Sequence, residues 1–188
     1  MPSPLAELLG GLRDAFEPLG VRWYLFGAQA AVLHGAARLS ADVDVTVRLG
    51  EVPLGSLLEA LDARGFDPRV GSPERFAEET RVLPLFHRES RMPVDLVLAG
   101  PGLEERFLAR AELRDIEGIA VPLASREDLV VMKLLAGRTK DLDDVAAVVA
   151  GPGLDLGYLR ATLGELERAI DRSDLLPLLE TALRRARG

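Results

Sequence analysis

The stretch YLFGAQAAVLHGAARLSADVDVTV (24–47) decides how the rest of the chain is read. It runs from an aromatic strand segment into a glycine turn, a short apolar helix, and a second strand interrupted by Asp42 and Asp44. Residues two apart in a strand share a face and lie ~6.6 Å apart along the chain. Asp42 and Asp44 therefore project together, with Val43 and Val45 turned to the core. Two ionised carboxylates on one face repel unless something neutralises them, and a divalent cation does so. The alternative is a solvated strand edge or a helix-capping pair, and a lone D-x-D fits either reading equally well. Gly27 is equally open. A helix beginning at a strand-to-helix turn can hold a phosphate on its backbone N–H groups, or the glycine can serve the turn alone.

Outward from this stretch, the elements alternate and then change character. Residues 4–17 form an amphipathic helix after Ser3, and VRWYLF (21–26) is a strand. PLGSLLEALDARG (53–65) is a second amphipathic helix stopped by Gly65. RVLPLFH (81–87) and PVDLVLA (93–99) are strands of one hairpin, LEERFLARA (103–111) is a helix, and IAVPLA (119–124) is the last strand. Asp95, flanked by apolar residues in PVDLVLA, offers a third carboxylate, or is a solvated strand position; alone it fits either reading equally well. If its strand neighbours VDVTV, three carboxylates converge, as two-metal phosphoryl or nucleotidyl transfer requires. From Ser125, a good N-cap followed by acids, only helices are expected. The fold class is therefore α+β: an α/β domain over residues 1–124, with a mixed sheet and flanking helices, then a small C-terminal helical bundle over 125–188.

Composition narrows the chemistry. The 188 residues are 48% hydrophobic and carry no cysteine and two histidines. Disulfides, thiolate nucleophiles and His- or Cys-rich zinc sites are excluded, so any metal is a hard cation on oxygen, Mg²⁺ or Mn²⁺. A net charge of −7 argues against a broad basic footprint on nucleic acid, without excluding a locally gripped end. No apolar run is long enough for a membrane span, and the opening reads as a helix rather than a secretory signal. No membrane partner and a cytoplasmic location are expected.

The basic side chains include only two lysines, Lys133 and Lys140. Lys133 lies in an apolar helix stretch, where a compact ammonium suits a triphosphate oxygen; the alternative is a snorkelling surface lysine. Arg38, four residues before Asp42, reads on its own as a solvated helix-end arginine. Thr139 is the expected N-cap of the next helix, and Lys140 and Asp144 are spaced to pair. His34 reads as a packed core histidine.

In order and spacing, the blocks FGAQAAVLHGAARLSADVDVTV, ETRVLPLFH, PVDLVLA and SREDLVVMKLLAGRTKDLDDV resemble the nucleotidyltransferase superfamily. More narrowly, they are similar to its minimal branch of abortive-infection toxins, those of type IV toxin–antitoxin systems. The resemblance covers about residues 22–150. It implies a five-stranded mixed sheet binding an NTP with Mg²⁺ (or Mn²⁺), with Asp42 and Asp44 as metal ligands and catalytic residues. Asp95 matches the third carboxylate, which assists deprotonation of the attacking hydroxyl or completes the metal shell. Gly27 and the Ala28 amide would cradle the triphosphate, with Arg38, Ser40 and Lys133 beside it. The family usually has Gly or Ser where this chain has Ala28, which keeps the amide and loses a hydroxyl.

The implied function is transfer of an NMP, or a short NMP tail, from an NTP to a hydroxyl on RNA, such as a tRNA 3′ end, or on protein. That activity belongs to toxin-like members of toxin–antitoxin or phage-defence systems, so a cognate antitoxin or toxin partner is implied. The alternative is a catalytically weak, antitoxin-like partner-binding module. A D-x-D glycosyltransferase ranks below both, because only 41 residues precede Asp42.

Overall fold

The structure is a computed structural model and describes residues 2–37 and 42–187. The described residues group into two compact units. One comprises residues 2–26 and 42–124; the other comprises 27–37 and 125–187. Among the described residues, no helix is long and apolar enough to cross a membrane.

The first unit begins with α1 (Pro4–Phe16), capped by the Ser3 hydroxyl accepting from the Ala6 N–H at 3.2 Å. Its strands are β1 (Arg22–Phe26), β2 (Val43–Arg48), β3 (Phe66–Pro68), β4 (Val82–His87), β5 (Met92–Leu98), β6 (Glu112–Ile116) and β7 (Ile119–Leu123). Helices α3 (Leu54–Asp62), α4 (Pro73–Thr80) and α5 (Leu103–Arg110) connect them. These strands form one mixed sheet in the order β3-β4-β5-β2-β1-β7-β6. The five-stranded sheet implied by the resemblance is thus its interior, and β3 and β6 extend it at the two edges. Both edge strands lack the signal that marks the others. β3 has three residues and ends in proline, and β6 (ELRDI) is exposed at four of its five positions.

One sheet face is the core. Val43, Val45 and Val47 of β2 and Val94 and Leu96 of β5 are fully buried, and Trp23, paired with Val47, meets Phe16 of α1 edge-on at 5.6 Å. Alternation along β2 then sends Asp44 and Thr46 to the opposite face.

The second unit contains α2 (Gly27–Leu33), α6 (Arg126–Ala136), α7 (Thr139–Val149), α8 (Leu156–Ile170) and α9 (Leu175–Arg185). The Ser125 hydroxyl caps α6 by accepting from the Asp128 N–H at 3.2 Å, as its sequence position predicts. For α7 the expectation shifts by one residue: Arg138 occupies the N-cap and Thr139 is the first helical residue. Leu129, Val130, Val145, Val148, Leu159 and Leu179 are fully buried here, each worth about 1.5–3 kcal/mol of apolar burial. α2 contacts α6 and α7 within this unit. His34, expected in the core, is only half-buried just beyond α2.

Candidate active site

The site grows out of strand register. β2 and β5 run parallel and side by side, and Asp44 lies directly opposite Asp95. Adjacent strands lie about 4.8 Å apart, so these two carboxylates leave the same face as neighbours. Their flanking residues, Val43 and Val45 on one strand and Val94 and Leu96 on the other, anchor both strands in the core. Asp42 immediately precedes β2 and is exposed. The convergence expected if PVDLVLA neighboured VDVTV therefore holds for Asp44 and Asp95.

The row continues in both directions. Phe26, the last residue of β1, pairs with Asp44, and Pro84 of β4 pairs with Asp95. Beyond Pro84 stands Arg69, whose backbone N–H donates to the Pro84 carbonyl at 2.9 Å. The Arg69 guanidinium reaches over β4 and forms an ion pair and hydrogen bond with the Asp95 carboxylate. Sequence reasoning missed Arg69. It lies in the segment FDPRVGSP, which reads as a loop, and only the β3–β4 pairing brings it into line.

The carboxylates suit a hard cation in donor chemistry and in register. Among the described residues, however, no group of three or more His, Asp or Glu side chains is disposed to hold a metal ion. Asp95 is instead engaged by Arg69.

In the second unit, Gly27 opens α2 with φ 71°, a left-handed conformation that favours glycine. Ala28 follows it and is buried. Lys133, on α6, is 4% exposed, and its Nζ donates to Asp144 at 2.7 Å and to Asp141 at 3.4 Å across the α6–α7 pair. Asp141 also accepts from the Arg138 Nε at 2.6 Å. Burial pushes the Asp141 carboxyl up, but the Arg138 hydrogen bond and the nearby Lys133 charge outweigh it and hold it below the usual carboxylate value. Asp144 thus accepts from Lys133, a contact that the i, i+4 spacing to Lys140 did not signal. Arg38 and Ser40 lie outside the described residues.

A family model described as nucleotidyltransferase of unknown function (DUF6036) matches residues 14–174. The chain belongs to this nucleotidyltransferase family. Among solved structures, it is similar to the antibiotic-resistance factor ANT(2'')-Ia, at 15% identity over 89% of this chain and 95% of that one, TM-score 0.59. It is also similar to the lincosamide antibiotic adenylyltransferase LnuA, solved with lincomycin bound, at 16% identity over 79% and 98%, TM-score 0.54. A third likeness is to an antigenic nucleotidyltransferase-like protein from Paracoccidioides brasiliensis, at 18% identity over 94% and 92%, TM-score 0.55. At these identities the likeness is one of fold. No curated protein matches the chain. The nucleotidyltransferase fold carries Asp44 and Asp95 on adjacent parallel strands, with Asp42 two residues before Asp44.

Proposed function

We propose that this member of the nucleotidyltransferase family transfers an NMP from an NTP to a hydroxyl acceptor. The observation that carries the proposal is the register of Asp44 against Asp95, with Asp42 two residues upstream. In this reading, Asp42, Asp44 and Asp95 hold Mg²⁺ or Mn²⁺, which supplies charge neutralisation for the phosphates and acidifies the acceptor hydroxyl when bound. The acceptor oxygen bonds to the α-phosphorus, the α–β bridging P–O bond breaks, and pyrophosphate leaves. Asp95 takes the acceptor proton or completes the cation's shell.

Gly27 and the Ala28 amide are assigned to the triphosphate, with Arg38 and Ser40 beside it. Lys133 belongs to this set in the same reading. To touch a phosphate its ammonium has to leave Asp141 and Asp144. ATP affinity of Lys133→Gln, measured at a temperature where the variant is still folded, separates nucleotide contact from helix packing: affinity lost there supports contact, and affinity kept assigns Lys133 to packing alone.

The acceptor proposed is an RNA 3′ end, such as that of tRNA, or a protein hydroxyl, with the chain as the toxin-like half of a toxin–antitoxin or phage-defence pair. The resemblance of the sequence blocks to abortive-infection toxins supports this. The adenylyltransferase among its fold neighbours was solved with an antibiotic, lincomycin, bound, which makes a small-molecule hydroxyl the competing acceptor class. Arg69 on Asp95 favours a second reading, a partner-binding module in which the third carboxylate is already engaged.

Label transfer decides between them. Protein is incubated with each α-labelled NTP and Mg²⁺ in the presence of total RNA, clarified lysate, or small-molecule extract, with Asp44→Ala in parallel. Label on one class with wild type alone supports the enzyme and names the acceptor. A folded protein that labels nothing sinks the transferase reading and leaves the module. Asp42→Ala and Asp44→Ala are expected to lower transfer by at least about a hundredfold while thermal melts stay at or above wild type, since a like-charge repulsion is removed.

A further inference from the structure

Arg69 is held where it can reach Asp95 by backbone, not by chance of side-chain rotamer. Its N–H is bonded to the Pro84 carbonyl, and Pro84 faces Asp95, so Arg69, just beyond the end of β3, stands in one row with Pro84 of β4 and Asp95 of β5. The residue bridged is proline. Its short ring lets a long side chain pass over β4, and its missing N–H falls where the β3 ladder runs out, the edge position at which proline is tolerated. Neighbouring arginines have other work: Arg88 pairs with Asp62 and Asp67, and Arg81 donates to the Leu98 carbonyl.

We infer that Arg69 is a positioning residue that competes with the divalent cation for Asp95. It neutralises the third carboxylate until a cation takes its place. The inference rests on the reading of Asp42, Asp44 and Asp95 as cation ligands. The side chains of Arg69 and Asp95 are 41% and 39% exposed. An ion pair this open to water is weak, so it yields to a doubly charged ion that two further carboxylates also attract. A guanidinium left beside that ion would be repelled by it. Arg69 and cation therefore occupy Asp95 in turn, and removing Arg69 improves cation binding even though it removes a side chain from the site.

The test is Mn²⁺ titration of the full chain without nucleotide, with free Mn²⁺ followed by electron paramagnetic resonance. Arg69→Ala is expected to bind Mn²⁺ about twice as tightly as wild type, and Arg69→Lys to fall between them. Arg114→Ala removes the same charge from β6 at the opposite edge of the sheet and is expected to match wild type. In Asp95→Asn, adding Arg69→Ala is expected to bring no further gain. Arg69→Ala binding equal to or weaker than wild type, while Asp44→Ala weakens binding, overturns the role of Arg69 and leaves the cation site standing. Mn²⁺ binding that Asp44→Ala does not change, or no binding by folded wild type, removes the cation site and the inference with it.

Discussion

The two units each hold aspartates against cationic side chains, and they do so in opposite surroundings. On the sheet, Asp95 meets Arg69 in an open row where both side chains are about two-fifths exposed. In the helical unit, Asp141 and Asp144 meet Lys133 with all three nearly sealed from water. The chemistry is the same and the consequences differ. A buried pair strengthens its Coulomb attraction but makes each member costly to abandon. An exposed pair contributes little to stability and can be exchanged for another partner. The helical cluster is costly to open, and the sheet pair is cheap to exchange.

The largest effect should come from breaking the sealed cluster. Lys133→Met is expected to destabilise the protein by about 3–5 kcal/mol, because Asp144 and Asp141 lose their shared ammonium in a dry environment. A thermal melt within 1 °C of wild type would show that the cluster does not hold the helices. Next comes Arg138→Gln, expected to cost about 1 kcal/mol, since one end of that pair reaches solvent. It also carries a pH signature. Asp141 is held below its ordinary value of 3.8, so its contribution is fully present above that value and is lost as pH falls through the folded value. Without Arg138 that loss should begin at higher pH, visible as an earlier acid transition by circular dichroism.

A smaller pH effect belongs to the sheet unit. Burial holds the His87 imidazole below its ordinary 6.5, against the opposing charge of Glu89. The ring is stacked on Phe66 at 4.5 Å between centroids, with Nδ1 at 2.8 Å from the Ser90 hydroxyl. Below 6.5 the unfolded chain takes up the proton first, so stability should decline as pH drops toward the folded value. His87→Gln should flatten the stability profile across that window; an unchanged slope would assign it to other groups. The smallest effect is expected from Arg69→Ala, at most about 0.5 kcal/mol. A loss as large as that of Lys133→Met would erase the contrast between the two regions.

How far the sequence could be read follows the same division between local and distant. Strands with apolar alternation or runs and helices with caps were legible because their signals lie within a few residues. The place of Asp95 beside Asp44 was conditional in the sequence, because it depends on PVDLVLA pairing with VDVTV. β3 and β6 were not legible, since one is three residues long and the other carries exposed polar residues. α4 could have been found: Ser72, Pro73 and Glu74 form a helix start. Arg69 and the Lys133–Asp144 pair were out of reach, because each depends on partners 26 and 11 positions away brought together by packing.

One feature of connectivity bears on how the protein is made. α2 is encoded between β1 and β2, yet it belongs with α6 and α7. On the ribosome it emerges about a hundred residues before those helices, a wait on the order of 5–20 s at ordinary rates of synthesis. Through that interval Ala28, Ala30 and Ala31 lack the surface that buries them. A chain that stalled or was cut near Ala124 would carry α2 without the helices it packs on, a natural handle for chaperones and proteases.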